Sequence, residues 1–231
     1  RLTTLGIFVL QCGDPLGGAG PGPGYTFGIE NAPQDGAYPK GVDEMALAAG
    51  KDPYAYRMSL LEKQPRFANV LKLAADKSGW GTPPPAGRSR GIALMEGYDT
   101  YMAQVAEVSV KDNQVTVHKM TVVADLGRMV NPDTVVAQIQ SSVVFGLSAA
   151  LNNQITLDKG RVQQTNFGDY PVLRMHESPV MDITIVPSTE KPGGIGEPAT
   201  ALVAPALANA VFAATGKRVR TLPLNDNLAK A

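Results

Sequence analysis

The sequence predicts an α+β fold in which strand hairpins and helices interleave. Three observations carry that expectation. Met102 to Val110 and Val115 to Val123 are alternating apolar runs joined by the polar Lys111–Gln114, the pattern of a hairpin. Asn131-Pro132-Asp133 precedes Val135, Val136, Ile139, Val143 and Leu147, which is helical spacing behind a capping residue. Pro198 to Thr215 is uncharged and Ala-rich and ends at Gly216, a natural left-handed cap.

Taken in order, residues 1–41 carry a short apolar run, Leu5–Leu10, and then a Gly- and Pro-rich stretch, Gly13–Gly24. That composition favours an irregular loop, and no G-x-G-x-x-G register fits it. Val42–Glu62 predicts a helix interrupted near Gly50, with Asp43 and Glu44 where the helix dipole favours acids. Asp52-Pro53 starts its second piece. Arg66–Lys77 predicts another helix, with Phe67, Val70, Leu71 and Ala74 on one face. Gly79–Gly91 reads as a crossing loop and marks a boundary between a helical part, 42–90, and a second part, 91–231. Trp80 inside it is a packing anchor. From Gly91 the pattern changes to strands. A second hairpin is expected over Gln154–Val162, turning at Asp158-Lys159-Gly160, and a further strand over Met181–Val186. The final helix, Ala199–Thr215, reads as a buried helix because a membrane span would be richer in Leu, Ile and Val.

Composition excludes several classes. Lys plus Arg and Asp plus Glu are 21 each, and no basic stripe stands out, which argues against nucleic acid and anionic membrane surfaces. The single cysteine, Cys12, excludes an internal disulfide and an iron–sulfur cluster held by this chain alone. No metal ligand set is expected. The chain begins at Arg1 and reads as a processed or partial chain.

The segment with chemical potential is Lys191-Pro192-Gly193-Gly194-Ile195-Gly196-Glu197-Pro198. Glycines permit a sharp turn and close approach to a bulky ligand. Glu197 stands where the helix begins, either as a cap or as a general base. His118 reads as a satisfied strand histidine and His176 as structural.

A series of motifs in one order resembles the large, molybdenum-binding subunit of the molybdenum hydroxylase family. They run from Asp43-Glu44 and Ala48–Pro53 through Gly127-Arg128, Val130-Asn131-Pro132, Gln138 and Phe145–Leu151. They continue through Asn166-Phe167, Asp169-Tyr170, Leu173–Met175, Gly196-Glu197-Pro198, Pro205-Ala206 and Asn209-Ala210 to Thr215–Leu224. The likeness covers roughly residues 42–224. It is nearest the isoquinoline 1-oxidoreductase and membrane-linked aldehyde dehydrogenase branch. The chain departs from that branch at Gln140-Ser141-Ser142, where an acid and two glycines are usual.

The resemblance implies the carboxyl-terminal portion of the molybdopterin-binding domains of such a large chain. It implies that Glu197 is the catalytic base, with Gln138, Ser141, Ser142, Phe145, Gly146, Gly194 and Gly196 contacting the cofactor. The cofactor would be molybdopterin with molybdenum, in the cytosine dinucleotide form, with iron–sulfur clusters on a partner chain only. Implied partners are the remainder of the large subunit, a small [2Fe-2S] subunit, a cytochrome c subunit and a small-molecule substrate, an aldehyde or N-heterocycle oxidised with oxygen from water. Nucleic acid is not among them. The implied location is the periplasm or the periplasmic face of the bacterial inner membrane, with the cytoplasm as alternative. Two other readings stay open: a non-catalytic structural module, and a hydrolase pairing Glu197 with Asp125 or Asp169.

Overall fold

The computed structural model describes residues 41–231. The expectations for Leu5–Leu10, Gly13–Gly24 and Cys12 fall outside the described residues.

Three short helices come first: α1 (Val42–Ala48), α2 (Pro53–Leu60) and α3 (Pro65–Ser78). The break at Gly50 (φ 63°) separates α1 from α2, and Asp52 caps α2 by accepting the Ala55 N–H at 2.9 Å. Strands β1 (Ser89–Gly97), β2 (Thr100–Lys111) and β3 (Gln114–Asp125) then form an antiparallel meander. Each turn is two residues with positive φ, Tyr98-Asp99 and Asp112-Asn113, a geometry whose twist matches the flanking strands.

Helix α4 (Pro132–Leu151) follows, capped by Asn131, whose side chain accepts the Thr134 N–H at 3.2 Å. The expected second hairpin contracts to two short strands, β4 (Leu157–Asp158) and β5 (Arg161–Val162), around Lys159-Gly160. Strand β6 (Val180–Ile185) joins the sheet parallel to β3, giving the order β1-β2-β3-β6. Parallel neighbours need a long crossover, here the segment containing α4. Helix α5 (Pro198–Thr215) ends at Gly216 (φ 73°), and α6 (Leu224–Asn227) closes the chain with a final 3₁₀ turn.

The sheet is covered on both faces. Met102, Ala106 and Val108 of β2 point into a core with α4, α5 and α6. Ala103 and Val105 point the other way, against Leu61, Val70, Leu71 and Ala74 around α2 and α3. The helical part 42–90 therefore shares its core with strands that follow it. Trp80 packs against this second core and donates to Asp52 at 3.0 Å. Helices α4 and α5 are long and apolar enough to cross a membrane by length and composition. Here they bury Ile139, Val143, Leu147, Val203 and Leu207 against the sheet and each other.

Candidate functional site

The glycine turn before α5 is held by its backbone. The Gly193 N–H donates to the Leu126 carbonyl at 2.7 Å, and the Gly194 N–H donates to the Tyr98 carbonyl at 2.8 Å. Thr100, fully buried at the start of β2, donates its hydroxyl to the Gly194 carbonyl at 2.7 Å. Ser142 of α4 donates its hydroxyl to the Gly196 carbonyl at 3.2 Å. Two strand ends and one helix thus fix the approach to Glu197.

Glu197 occupies the N-cap position of α5, but its side chain accepts no capping hydrogen bond. Its carboxylate is exposed and makes no ion pair with the described residues. The plain capping role is therefore not performed, and the carboxylate is left available to an external group.

The glycines divide by what their missing Cβ would meet. At Gly193 it would stand 2.5 Å from the Thr100 hydroxyl, and at Gly194 2.9 Å from the Tyr98 Cβ. Gly146 would meet Val203 at 2.7 Å. Close approach at these three positions is to the protein's own chain: the β1–β2 turn and α5. The missing Cβ at Gly194 and Gly146 thus makes room for the protein's own atoms. Gly196 differs, because none of the described residues lies within 4 Å of its Cβ position.

The serines divide likewise. Ser142 is buried, and its hydroxyl donates to the Gly196 carbonyl. Ser141 is exposed and donates to the Gln138 carbonyl of its own helix at 3.1 Å. Gln138, Ser141 and Phe145 are exposed and share one face of α4 at helical spacing, with Phe145 64% exposed. The Ser142–Gly196 bond sets the glycine turn beside this stretch of α4. That bond joins the residue before Glu197 to the helix that carries Gln138, Ser141 and Phe145.

Asp125 has a different environment. It is buried, and the Arg66 guanidinium grips both its oxygens, Nε to Oδ2 at 2.8 Å and Nη2 to Oδ1 at 2.7 Å. That pairing, joined by the Gly127 N–H, holds its carboxyl below the usual range against the opposing effect of burial. Asp169 accepts from the Thr165 hydroxyl at 3.1 Å. Both carboxylates are committed, which argues against a paired-carboxylate hydrolase. A cleft of about 480 Å³, wide open to solvent, lies over Arg66, Asp125 and Pro187–Glu190, and Glu197 is not part of its lining. We take the glycine turn as the candidate site, because the carboxylate in that cleft is neutralised and the one on the turn is not.

His118 shares a hydrogen bond of 2.8 Å with Ser109, and burial lowers its pKa. His176 is exposed. No group of three or more His, Cys, Asp or Glu residues is placed to hold a metal ion among the described residues.

A family model for the molybdopterin cofactor-binding domain matches residues 46–179. The chain belongs to the molybdenum hydroxylase family. The matched span contains the α4 residues and ends before β6 and Glu197. Relatives include a membrane-bound aldehyde dehydrogenase (pyrroloquinoline-quinone) of Gluconacetobacter polyoxogenes, 35% identical over 79% of this chain and 26% of that protein. The beta chain of isoquinoline 1-oxidoreductase from Brevundimonas diminuta is 31% identical over 89% of this chain and 27% of that one. A nicotinate dehydrogenase subunit of Pseudomonas putida is 33% identical over 90% and 19%. The chain thus spans about a quarter or less of the length of these relatives. Among solved structures, the aldehyde oxidoreductase of Desulfovibrio desulfuricans matches with a TM-score of 0.50 and 29% identity over 57% of this chain and 15% of that one. Quinoline 2-oxidoreductase of Pseudomonas putida 86 shares the fold, with a TM-score of 0.53 and 21% identity over 71% and 23%.

The exposed residues fit one wall of a molybdopterin site. Gln138 offers an amide that is not hydrogen-bonded among the described residues, Ser141 a hydroxyl, Phe145 an aromatic face and Gly196 open space. Ser142, Gly146 and Gly194 would support that wall from behind.

Proposed function

We propose that this chain is a carboxyl-terminal portion of the catalytic subunit of a molybdenum hydroxylase that oxidises an aldehyde or an N-heterocycle. The observation that carries the reading is Glu197: an exposed carboxylate without a partner among the described residues, on a backbone fixed by hydrogen bonds from three other elements. Molybdopterin, when bound, supplies two-electron redox chemistry at the metal. The carboxylate of Glu197 takes the proton released as an oxygen derived from water attacks the electron-poor carbon. Gln138, Ser141 and Phe145 orient the pterin, which we take to be the cytosine dinucleotide.

The rest of the large subunit closes the site and excludes water. Electrons leave through a [2Fe-2S] subunit and then a cytochrome c subunit. This chain, with one cysteine, does not hold a cluster by itself. The proposed location is the periplasmic face of the bacterial inner membrane; one relative is a membrane-bound enzyme.

The test is the molybdenum and pterin-nucleotide content of the native complex containing this chain, with its localisation by cell fractionation. One molybdenum and one pterin dinucleotide per copy is the expected result. Folded, complete material without molybdenum would overturn the proposal and leave a structural module, and a bound quinone in its place would point to different chemistry.

A further inference from the structure

At a helix N-cap the backbone is usually fixed by the capping residue's own side chain. Glu197 does not do this, so its backbone must be set by other groups. Two hydroxyls stand in the right places. Ser142 donates to the Gly196 carbonyl, the acceptor of the peptide that leads into Glu197. Thr200 donates its hydroxyl to the Ser142 carbonyl at 3.1 Å, while its own N–H donates to the Glu197 carbonyl at 3.0 Å. The three bonds close a ring running from α4 through the Gly196–Glu197 peptide and the first turn of α5 and back to α4.

The other serines of α4 show that this is not their default behaviour. Ser141 and Ser148 donate to carbonyls of their own helix, Gln138 and Val144. Ser142 alone among these three donates to a different element, and it does so while buried at a position where alanine would suit the helix better. At 3.2 and 3.1 Å both hydroxyl bonds are long. Gly193 and Gly194 are already held by their own backbone bonds and by Thr100, and the ring extends that restraint to the Gly196–Glu197 peptide.

We propose that Ser142 and Thr200 are positioning residues for Glu197, fixing the peptide on which its carboxylate stands; this rests on reading Glu197 as the base. The test uses the purified native complex carrying Ser142→Ala, Thr200→Val, Glu197→Gln and the Ser142→Ala/Glu197→Gln double variant. Alanine favours the helix, so Ser142→Ala should fold, and Thr200→Val opens the same ring from its other side. Hydrogen exchange across residues 193–200 is read first, because it does not depend on turnover. Both hydroxyl variants should speed exchange there by about tenfold and leave the sheet unchanged. In the loaded enzyme Ser142→Ala should lower kcat by about tenfold at unchanged KM and molybdenum content. In the Glu197→Gln background it should cost nothing further.

Unchanged exchange in 193–200 would overturn the proposal. So would an equal loss of kcat in both backgrounds, because that marks Ser142 as structural only. Full activity of Glu197→Gln, with exchange still raised by Ser142→Ala, would instead overturn the base assignment.

Discussion

Two regions of the molecule treat their charges in opposite ways. Beside β1, Asp43 is buried with Arg57 at 3.0 Å and Arg218 at 3.4 Å. Arg57 and Asn209 both donate to the Ile92 carbonyl of the edge strand, at 3.3 and 3.1 Å. Arg218 in turn donates to Asn209 and lies 3.6 Å over the Phe212 ring. There the side chains are tied to one another and close the sheet edge. At the glycine turn the backbone is tied, and the Glu197 side chain has no partner among the described residues. Burying charge is costly without a partner, so the first arrangement serves stability. A fixed backbone under a carboxylate that the described residues leave unpaired is the arrangement expected of a ligand-facing group.

The contrast can be broken most severely at Arg57. Arg57→Ala leaves Asp43 buried without its nearer partner and should cost about 3–5 kcal/mol in urea denaturation of the complex. A cost below about 1 kcal/mol would mean that Arg218 alone compensates Asp43. Behind the glycine turn, Gly146→Ala forces a Cβ against Val203 and should cost about 1–3 kcal/mol by the same measurement. Turnover per molybdenum in the material that stays folded should hold, because the Cβ would press on Val203 between α4 and α5, behind the exposed face.

The Arg66–Asp125 pair gives the contrast a pH dependence. Asp125 titrates lower in the folded chain than in the unfolded one, so the unfolded chain takes up its proton first. Its stabilising contribution is present above the ordinary aspartate range and is lost as pH falls through the depressed value. Asp125→Asn should therefore flatten the acid limb of stability against pH, and an unchanged limb would place the acid sensitivity elsewhere. The smallest effect belongs to the exposed rim of the buried cluster. Arg220→Ala breaks the pair with Glu44 at 2.9 Å and should cost less than about 1 kcal/mol.

The parts of the fold that could be read from sequence were those written locally. The Asn131-Pro132 start of α4, the Gly216 end of α5 and the polar turn between β2 and β3 all name their own structure. The turn between β1 and β2 does not, because Tyr98 and Asp99 adopt positive φ without the usual glycine or asparagine. The parallel partner of β6 was also hidden, since pairing across the α4 crossover leaves no local pattern.

The site divided in the same way. Glu197 was visible through the glycines before it, but the reason for those glycines was not. Gly193 and Gly194 yield to the Tyr98–Thr100 turn and Gly146 to Val203, contacts made by residues distant in sequence. The hydroxyls of Thr100, Ser142 and Thr200 that secure the turn had no spacing to announce them.

The most direct test of the central claim is turnover per bound molybdenum in the native complex carrying Glu197→Gln. Loss of a general base predicts a fall in kcat of at least about a hundredfold with cofactor content unchanged. Turnover equal to that of the unaltered complex, at the same molybdenum content, would contradict the claim.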